Sequence, residues 1–459
     1  METHVEHTVP QSTAPDLAIS VIERARRLGA TAAEVIFRES IEFSASVRLG
    51  EIETVKEAGS RGLGLRVLLD GRQASVSTSD FSPAALDELV ETALTLARAT
   101  SVDETAGLPD PADLATEIPD LDLYDPAVLA LSAEEKIRLA LTAEQAAQAY
   151  DPRIVNFEGG GVDSSAGHTV LANSLGFVGE YRSTSLSLAT VPVARDADGR
   201  LQRDYWYDAR RRLASLEDPA SVGRRAAERT IRKLGARRVP TQTCPVVFAP
   251  EVAASLIGHV FGAVSGDAIF RKASFLVGKL GEQVASALVT IIDDGRMPNG
   301  LGSRPFDGEG VPTRRTTVIR EGRLESYLHN TYTARKLGER TTGNAARGLT
   351  GAPSVGVNNM YLVPGPHPPE AIIASVHHGF YVTELIGFGV NGVTGDYSRG
   401  AAGRWIENGE LTFPVEEVTI AGNLLTMLKQ IEMIGNDLDF RGRMAAPTLK
   451  IAEMTISGT

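Results

Sequence analysis

The sequence predicts an α+β fold, with an N-terminal mixed α/β domain followed by a β-rich C-terminal domain of hairpins and packed helices. Three observations lead there. Helices are marked by their caps, hairpins by Asp-Gly and Asn-Gly pairs, and the two element types are mixed without the regular alternation of a doubly wound sheet. A length of 459 residues allows two or three domains at roughly 100–200 residues each.

Residues 1–14 are polar and mixed in charge. They lack a basic start followed by an apolar run, so they read as a flexible tail and not a secretory signal. A helix is expected over Asp16–Leu28, stopping at Gly29. Leu63–Val76 reads as a hairpin turning at Asp70-Gly71, because a type I′ turn needs positive φ twice. Ser82 caps a helix with Pro83 at its first position, running to about Ala99. Residues 101–150 hold 11 acids and 2 bases. The Pro- and Asp-rich part of this block reads as a loop or linker, with a possible subdivision near 101–130. Ser132 and Glu135 form a capping box for the next helix. Gly159-Gly160-Gly161 reads as a turn. Asp218-Pro219 opens a helix that ends near Leu234 with Gly235 as its cap. A boundary near Arg238–Thr243 separates domains at 15–238 and 239–459. Beyond it come a strand at Cys244–Ala249, an apolar helix at Glu251–Val264, and a hairpin at Thr317–Tyr327 around Glu321-Gly322. A short helix at Pro369–His378 closed by Gly379 follows, then a hairpin at Trp405–Val415 around Asn408-Gly409. Val252–Val264 is too short to span a bilayer, which takes ~20 residues.

Composition narrows the chemistry. Lys plus Arg is 46 and Asp plus Glu is 58, a net charge of −12. An acidic chain argues against nucleic-acid or anionic-membrane partners. Residues 181–240 are locally basic, with 14 bases and 7 acids, and read as a solvated helix face with internal pairing. One cysteine, Cys244, rules out a disulfide framework and any multi-cysteine metal site. Its apolar segment suggests a buried structural thiol. A soluble protein of the reducing cytoplasm fits best. There is no phosphate-binding G-x-x-x-x-G-K-[ST], no dinucleotide fingerprint and no G-x-S-x-G nucleophile elbow.

Eight histidines remain as possible metal ligands. None is followed by glutamate. His4 and His7 lie in the polar tail. His377 and His378 are adjacent, so on a helix their rings diverge by about 100°. His367 sits in a Pro-rich turn, His329 at a strand end, and His168 in a turn-rich segment. His259, alone in an apolar helix, reads as a packed, hydrogen-bonded core residue. The sequence therefore assigns no catalytic residue and no metal ligand. The segment Gly395–Gly403 does stand out. Glycines let backbone approach a ligand, and Arg399 could grip a carboxylate in a two-pronged bond. The same segment carries the acid Asp396 and the hydroxyls of Tyr397 and Ser398. The alternative is a tight loop in which Arg399 pairs with Asp396.

Gly395–Glu410 resembles the C-terminal signature of the TldE (PmbA) branch of the TldD/TldE protease family. The resemblance extends, in order, through Phe270–Leu276, Pro305–Val311, Tyr332–Gly338, Val382–Leu385 and Ile434–Asp437. In that family the TldD-type chain carries an H-E-x-x-x-H zinc helix and a cysteine ligand near the C-terminus. Anchoring on Gly266-Asp267 puts the motif at Ile257 (first histidine), Gly258 (glutamate) and Gly262 (second histidine), and Phe440–Leu449 has no cysteine. The resemblance thus implies a non-catalytic subunit of a cytosolic heterodimeric metallopeptidase that acts on unfolded or extended peptides, with Tyr397, Ser398, Arg399 and Asp396 as the candidate substrate-binding residues. No cofactor would sit in this chain, and zinc would come from the TldD-type partner. An older family label, modulator of DNA gyrase, gains no support from the acidic charge. Two other readings stay open: a stand-alone peptide-binding homodimer without chemistry, and a self-sufficient hydrolase using other residues.

Overall fold

A computed structural model of the chain describes residues 13–458. The tail expected at 1–14, including His4 and His7, lies outside the described residues apart from Thr13 and Ala14, which already belong to the helix Thr13–Arg27.

The N-terminal half is built on a seven-stranded antiparallel sheet. Its order is Arg72–Thr78, Glu51–Leu69, Ala32–Arg48, Ile154–Asn173, Val178–Arg195, with Leu201–Arg203 and Trp206–Arg210 both pairing to the last long strand. The helices Thr13–Arg27 and Pro83–Ala99 cover one end through Val21, Val35, Leu63, Leu65 and Val90. The helices Ala133–Gln148 and Pro219–Ile231 cover the other end through Phe43, Val162, Leu186 and Val222. The expected caps are present: Ser82 accepts from Ala85 N–H, and Ser132 and Glu135 form a reciprocal capping box. At the turns, Asp70 and Gly71, Glu321 and Gly322, and Asn408 and Gly409 all have positive φ, as type I′ hairpins require.

Three local expectations need correction. Gly159–Gly161 is no turn but a bulge inside the strand Ile154–Asn173. The register with Val178–Arg195 shifts between Phe157 and Gly160, and Gly159 and Gly160 take positive φ. A Cβ on Gly161 would lie 2.0 Å from the Ala45 carbonyl, so close strand approach requires glycine there. His168 belongs to that strand and meets Glu180 at 2.8 Å. The helix expected at Pro369–His378 ends at Ala374; His378 opens the next strand, held by Gln242 and the edge of Trp405. The acidic stretch from 101 to 125 has the loop character expected of it, and it is tied down along its length. Asp103 binds Tyr332 and Lys336, Asp110 binds Arg335, and Asp113 binds Arg340, strapping it to the C-terminal half.

Among the described residues the C-terminal half holds two large sheets and a two-stranded ribbon of Ala345–Ala346 with Ser354–Val355. One is six-stranded: Glu410–Asn423, Asp396–Glu407, His378–Ile386, Gln242–Phe248, Leu449–Ser457 and Ile431–Ile434. A further pairing of Glu410–Asn423 with Leu449–Ser457 closes it on itself. The other is five-stranded and ends in the two-residue strand Met444–Ala445, parallel to Asn359–Leu362. The helix Pro250–Val264 buries Val252, Leu256, Ile257 and Val260 in the large core between them. Among the described residues no helix is long and apolar enough to cross a membrane.

The halves meet over a buried ionic knot. The Glu34 carboxylate contacts Arg66 at 2.6 Å from its own sheet and Arg347 at 2.8 Å from the other half. Beside it lies the buried pair Asp307 and Glu309. Burial, reinforced by the Asp307 charge, pushes the Glu309 carboxyl up to about 7. Two measurements test this junction. Glu34→Ala strands two buried guanidiniums, so its urea unfolding midpoint is expected to drop, by about 3–5 kcal/mol of stability. For Glu309 the folded pKa lies above the unfolded one. Folding therefore takes up a proton, and its contribution is lost as pH rises from the ordinary carboxylate range to about 7. Glu309→Gln should flatten the stability–pH curve in that window.

Candidate functional site

The segment that stands out in the sequence lies against the helix Pro250–Val264. One face of that helix is core: Ile257 is 3% exposed. The other face, with Ser255, Gly258, His259 and Gly262, is partly or fully open. Met444, from the short strand of the five-stranded sheet, packs here. A Cβ on Gly258 would lie 3.3 Å from its sulfur, whereas a Cβ on Gly262 would meet nothing within 4 Å.

This donor set does not fit zinc, which takes Cys, His, Asp or Glu side chains. Ile257 offers hydrocarbon, and the two glycines offer no side chain. No group of three His, Cys, Asp or Glu residues converges on a common point among the described residues.

Asp396–Glu407 is not a loop. It is an inner strand, with Tyr397 opposite Gly422 and Arg399 opposite Ile420. Strand alternation sends successive side chains to opposite faces. The four candidates therefore divide. Tyr397 and Arg399 turn inward beside His259, whereas Asp396 and Ser398 are exposed on the other face. The alternative pairing of Arg399 with Asp396 fails for the same reason; Asp396 accepts instead from the Thr394 hydroxyl at 2.6 Å. The true loop precedes the strand, at 387–395. Phe388 is 99% exposed at its tip. Bonds from Ser398 N–H to the Gly389 carbonyl and from Phe275 N–H to the Gly392 carbonyl hold the loop in place.

His259 packs edge-on against Tyr397, with ring centroids 6.0 Å apart. It is packed, as expected, but the expected hydrogen bond is missing at Nε2. That atom and the Arg399 Nε are buried without a hydrogen-bond partner, and the buried Tyr397 hydroxyl has none but the adjacent Arg399 guanidinium. Burial, helped by the Arg399 charge, holds the His259 pKa below its usual value. Burial also pushes the Tyr397 hydroxyl up to about 12, against the pull of Arg399. Both side chains are therefore neutral at physiological pH. Cys244, raised to about 12 by burial, remains a thiol.

Sequence reasoning missed two participants. The place of His259 inside the 257–262 window is the signal that could have flagged it. Met444 gave none, because only tertiary pairing brings residue 444 to residue 258. One prediction follows from the electrostatics. Arg399→Ala removes a nearby positive charge, so the His259 ring should titrate at higher pH, as read by histidine NMR across a pH series.

Comparison with known proteins places this geometry in context. Family models match in chain order: PmbA/TldA metallopeptidase domain 1 at 33–97, the central domain at 126–234 and the C-terminal domain at 241–458. The chain is 41% identical to the metalloprotease PmbA of Escherichia coli O157:H7 over 426 residues, covering 93% of this chain and 92% of that protein. The crystal structure of a "putative modulator of DNA gyrase" from Bacteroides thetaiotaomicron superimposes with a TM-score of 0.91 at 30% identity, covering 98% of this chain and all of that one. TldE of Thermococcus kodakarensis shares the fold, with a TM-score of 0.88 at 24% identity over 96% of this chain and all of its own.

Proposed function

Because this chain belongs to the PmbA/TldD family of metallopeptidases, we propose that it is the TldE-type, non-catalytic subunit of a cytoplasmic two-chain peptidase. A TldD-type partner supplies the zinc and the general base, and the substrates are unfolded or extended peptides. One observation supports the reading: at Ile257, Gly258 and Gly262, the positions that the resemblance aligns with the zinc motif, the side chains present cannot ligate a metal, and Met444 packs against Gly258.

The role left to this chain is positioning. It completes the substrate cleft and holds extended peptide backbone, the mode in which main-chain hydrogen bonds give affinity and side-chain pockets give selectivity. The open face of Pro250–Val264 suits this role, since bare helix backbone at Gly262 lets a chain approach closely. The inward pair Tyr397 and Arg399 are the candidate contacts.

The test is a peptidase assay with this chain alone, an H-E-x-x-x-H partner alone, and the two mixed, with zinc quantified on each. Stoichiometric zinc is expected on the partner, and turnover of extended peptides is expected to need the mixture. Zinc on this chain, or turnover indifferent to its presence, would overturn the assignment.

A further inference from the structure

We propose that His259, Tyr397 and Arg399 form a carboxylate-binding site, which takes the C-terminal carboxylate of a peptide or an acidic side chain. The peptide source rests on the function proposed above, whereas the carboxylate site itself does not.

The starting observation is a concentration of unmet hydrogen-bonding capacity. Buried polar atoms are nearly always satisfied by protein or ordered water. Here His259 Nε2 and Arg399 Nε are buried without partners in one small region, and the Tyr397 hydroxyl between them has no partner but the Arg399 guanidinium. Tyr397 is only 2% exposed, so packing and not solvent sets the direction of its hydroxyl.

The chemistry of the three groups converges on one ligand class. Arg399 can only donate. Tyr397 keeps its proton, and its hydroxyl is free to donate. Neutral His259 donates from Nε2 in one of its two tautomers. Three neighbouring donors, one of them a guanidinium, suit an anion with several lone pairs and repel a cation. A planar carboxylate also matches the guanidinium fork. Strand alternation removes the acid that would otherwise compete, because Asp396 points to the opposite face. No ion pair to Arg399 is found among the described residues.

Room lies next to the donors. Gly262 is exposed one helical turn beyond His259, with nothing within 4 Å of where its Cβ would be. A ligand can enter over that bare stretch of helix.

The test uses the full chain labelled with ¹⁵N-histidine. The His259 ring signal, identified by its loss in His259→Asn, is expected to move on adding acetate and to stay still in Arg399→Ala. In that variant the other histidine signals report whether the fold is intact. Tyr397→Phe, which removes only the hydroxyl, should weaken the acetate response. A wild-type signal indifferent to acetate overturns the site, whether or not peptides bind.

Fluorescent extended peptides then separate the two sources by anisotropy. A loss of about tenfold or more with a C-terminal amide identifies the terminal carboxylate, and a similar loss on an internal Glu→Gln change identifies a side chain. Equal binding of all forms overturns the carboxylate site and leaves the peptide reading intact. No binding of any form, with the acetate shift preserved, sinks the peptide reading and supports the site.

Discussion

The structure depends on one buried carboxylate. Glu34, fully enclosed, lies between Arg66 of its own sheet and Arg347 of the C-terminal half. A charge in that position is tolerated only while both guanidiniums stay in place, because the desolvation of all three groups is offset by their mutual attraction. The contact therefore acts as a constraint on geometry more than as a source of net stability. Apolar packing lies beside it: Phe306 meets Phe177 at 5.2 Å and Tyr181 at 5.4 Å. Arg211 adds three bonds to main-chain carbonyls, two of them at Gly300 and Leu301. With the acidic strap from Asp103 to Asp113, these contacts tie an antiparallel sheet to a chain segment far away in sequence.

A second constraint acts locally, at the inner strand Asp396–Glu407. From Gly400 on it has strands on both sides, and Asp396–Arg399 pair with Glu410–Asn423 on one side and with the loop at Gly389 and Val390 on the other, so this backbone is held. Alternation then fixes which side chains share a face. Tyr397 and Arg399 meet the helix Pro250–Val264, and nothing on Asp396 or Ser398 can join them without a register slip that would also move Tyr397 out of the core. Burial does the rest by keeping His259 and Tyr397 neutral, so Arg399 is the charge that dominates this face.

Much of the fold was legible in the sequence, for reasons that are local. Caps such as Ser132 with Glu135, and turns such as Asn408-Gly409, are decided within a few residues, and the structure keeps them. Misreadings arose where distant chain decided the outcome. Gly159–Gly161 looks like a turn because glycines favour turns, yet the long ladder with Val178–Arg195 absorbs it as a bulge. The same failure affects the candidate site. Glycine, acid, hydroxyl and guanidinium between Gly395 and Gly403 suggest a ligand loop. The partner strands that make the segment a strand lie on either side of it, and their pairing is not visible in its composition. The degenerate positions Ile257, Gly258 and Gly262 were legible only through resemblance. That Met444 fills the space beside one of them required the fold.

The way those positions are filled carries its own argument. A helix that had simply lost a metal site to the core would be expected to gain bulky apolar residues at all three positions. Only Ile257 follows that pattern, buried at 3% exposure. Gly258 and Gly262 do the reverse. Glycine within a helix costs roughly 0.5–1 kcal/mol relative to alanine, and at Gly262 no neighbour is close enough for steric need to explain it. What glycine provides there is access to the helix surface beside three inward-facing donors. An exposed glycine held at a cost in stability, next to buried polar groups short of partners, is what a ligand binding over this face would require.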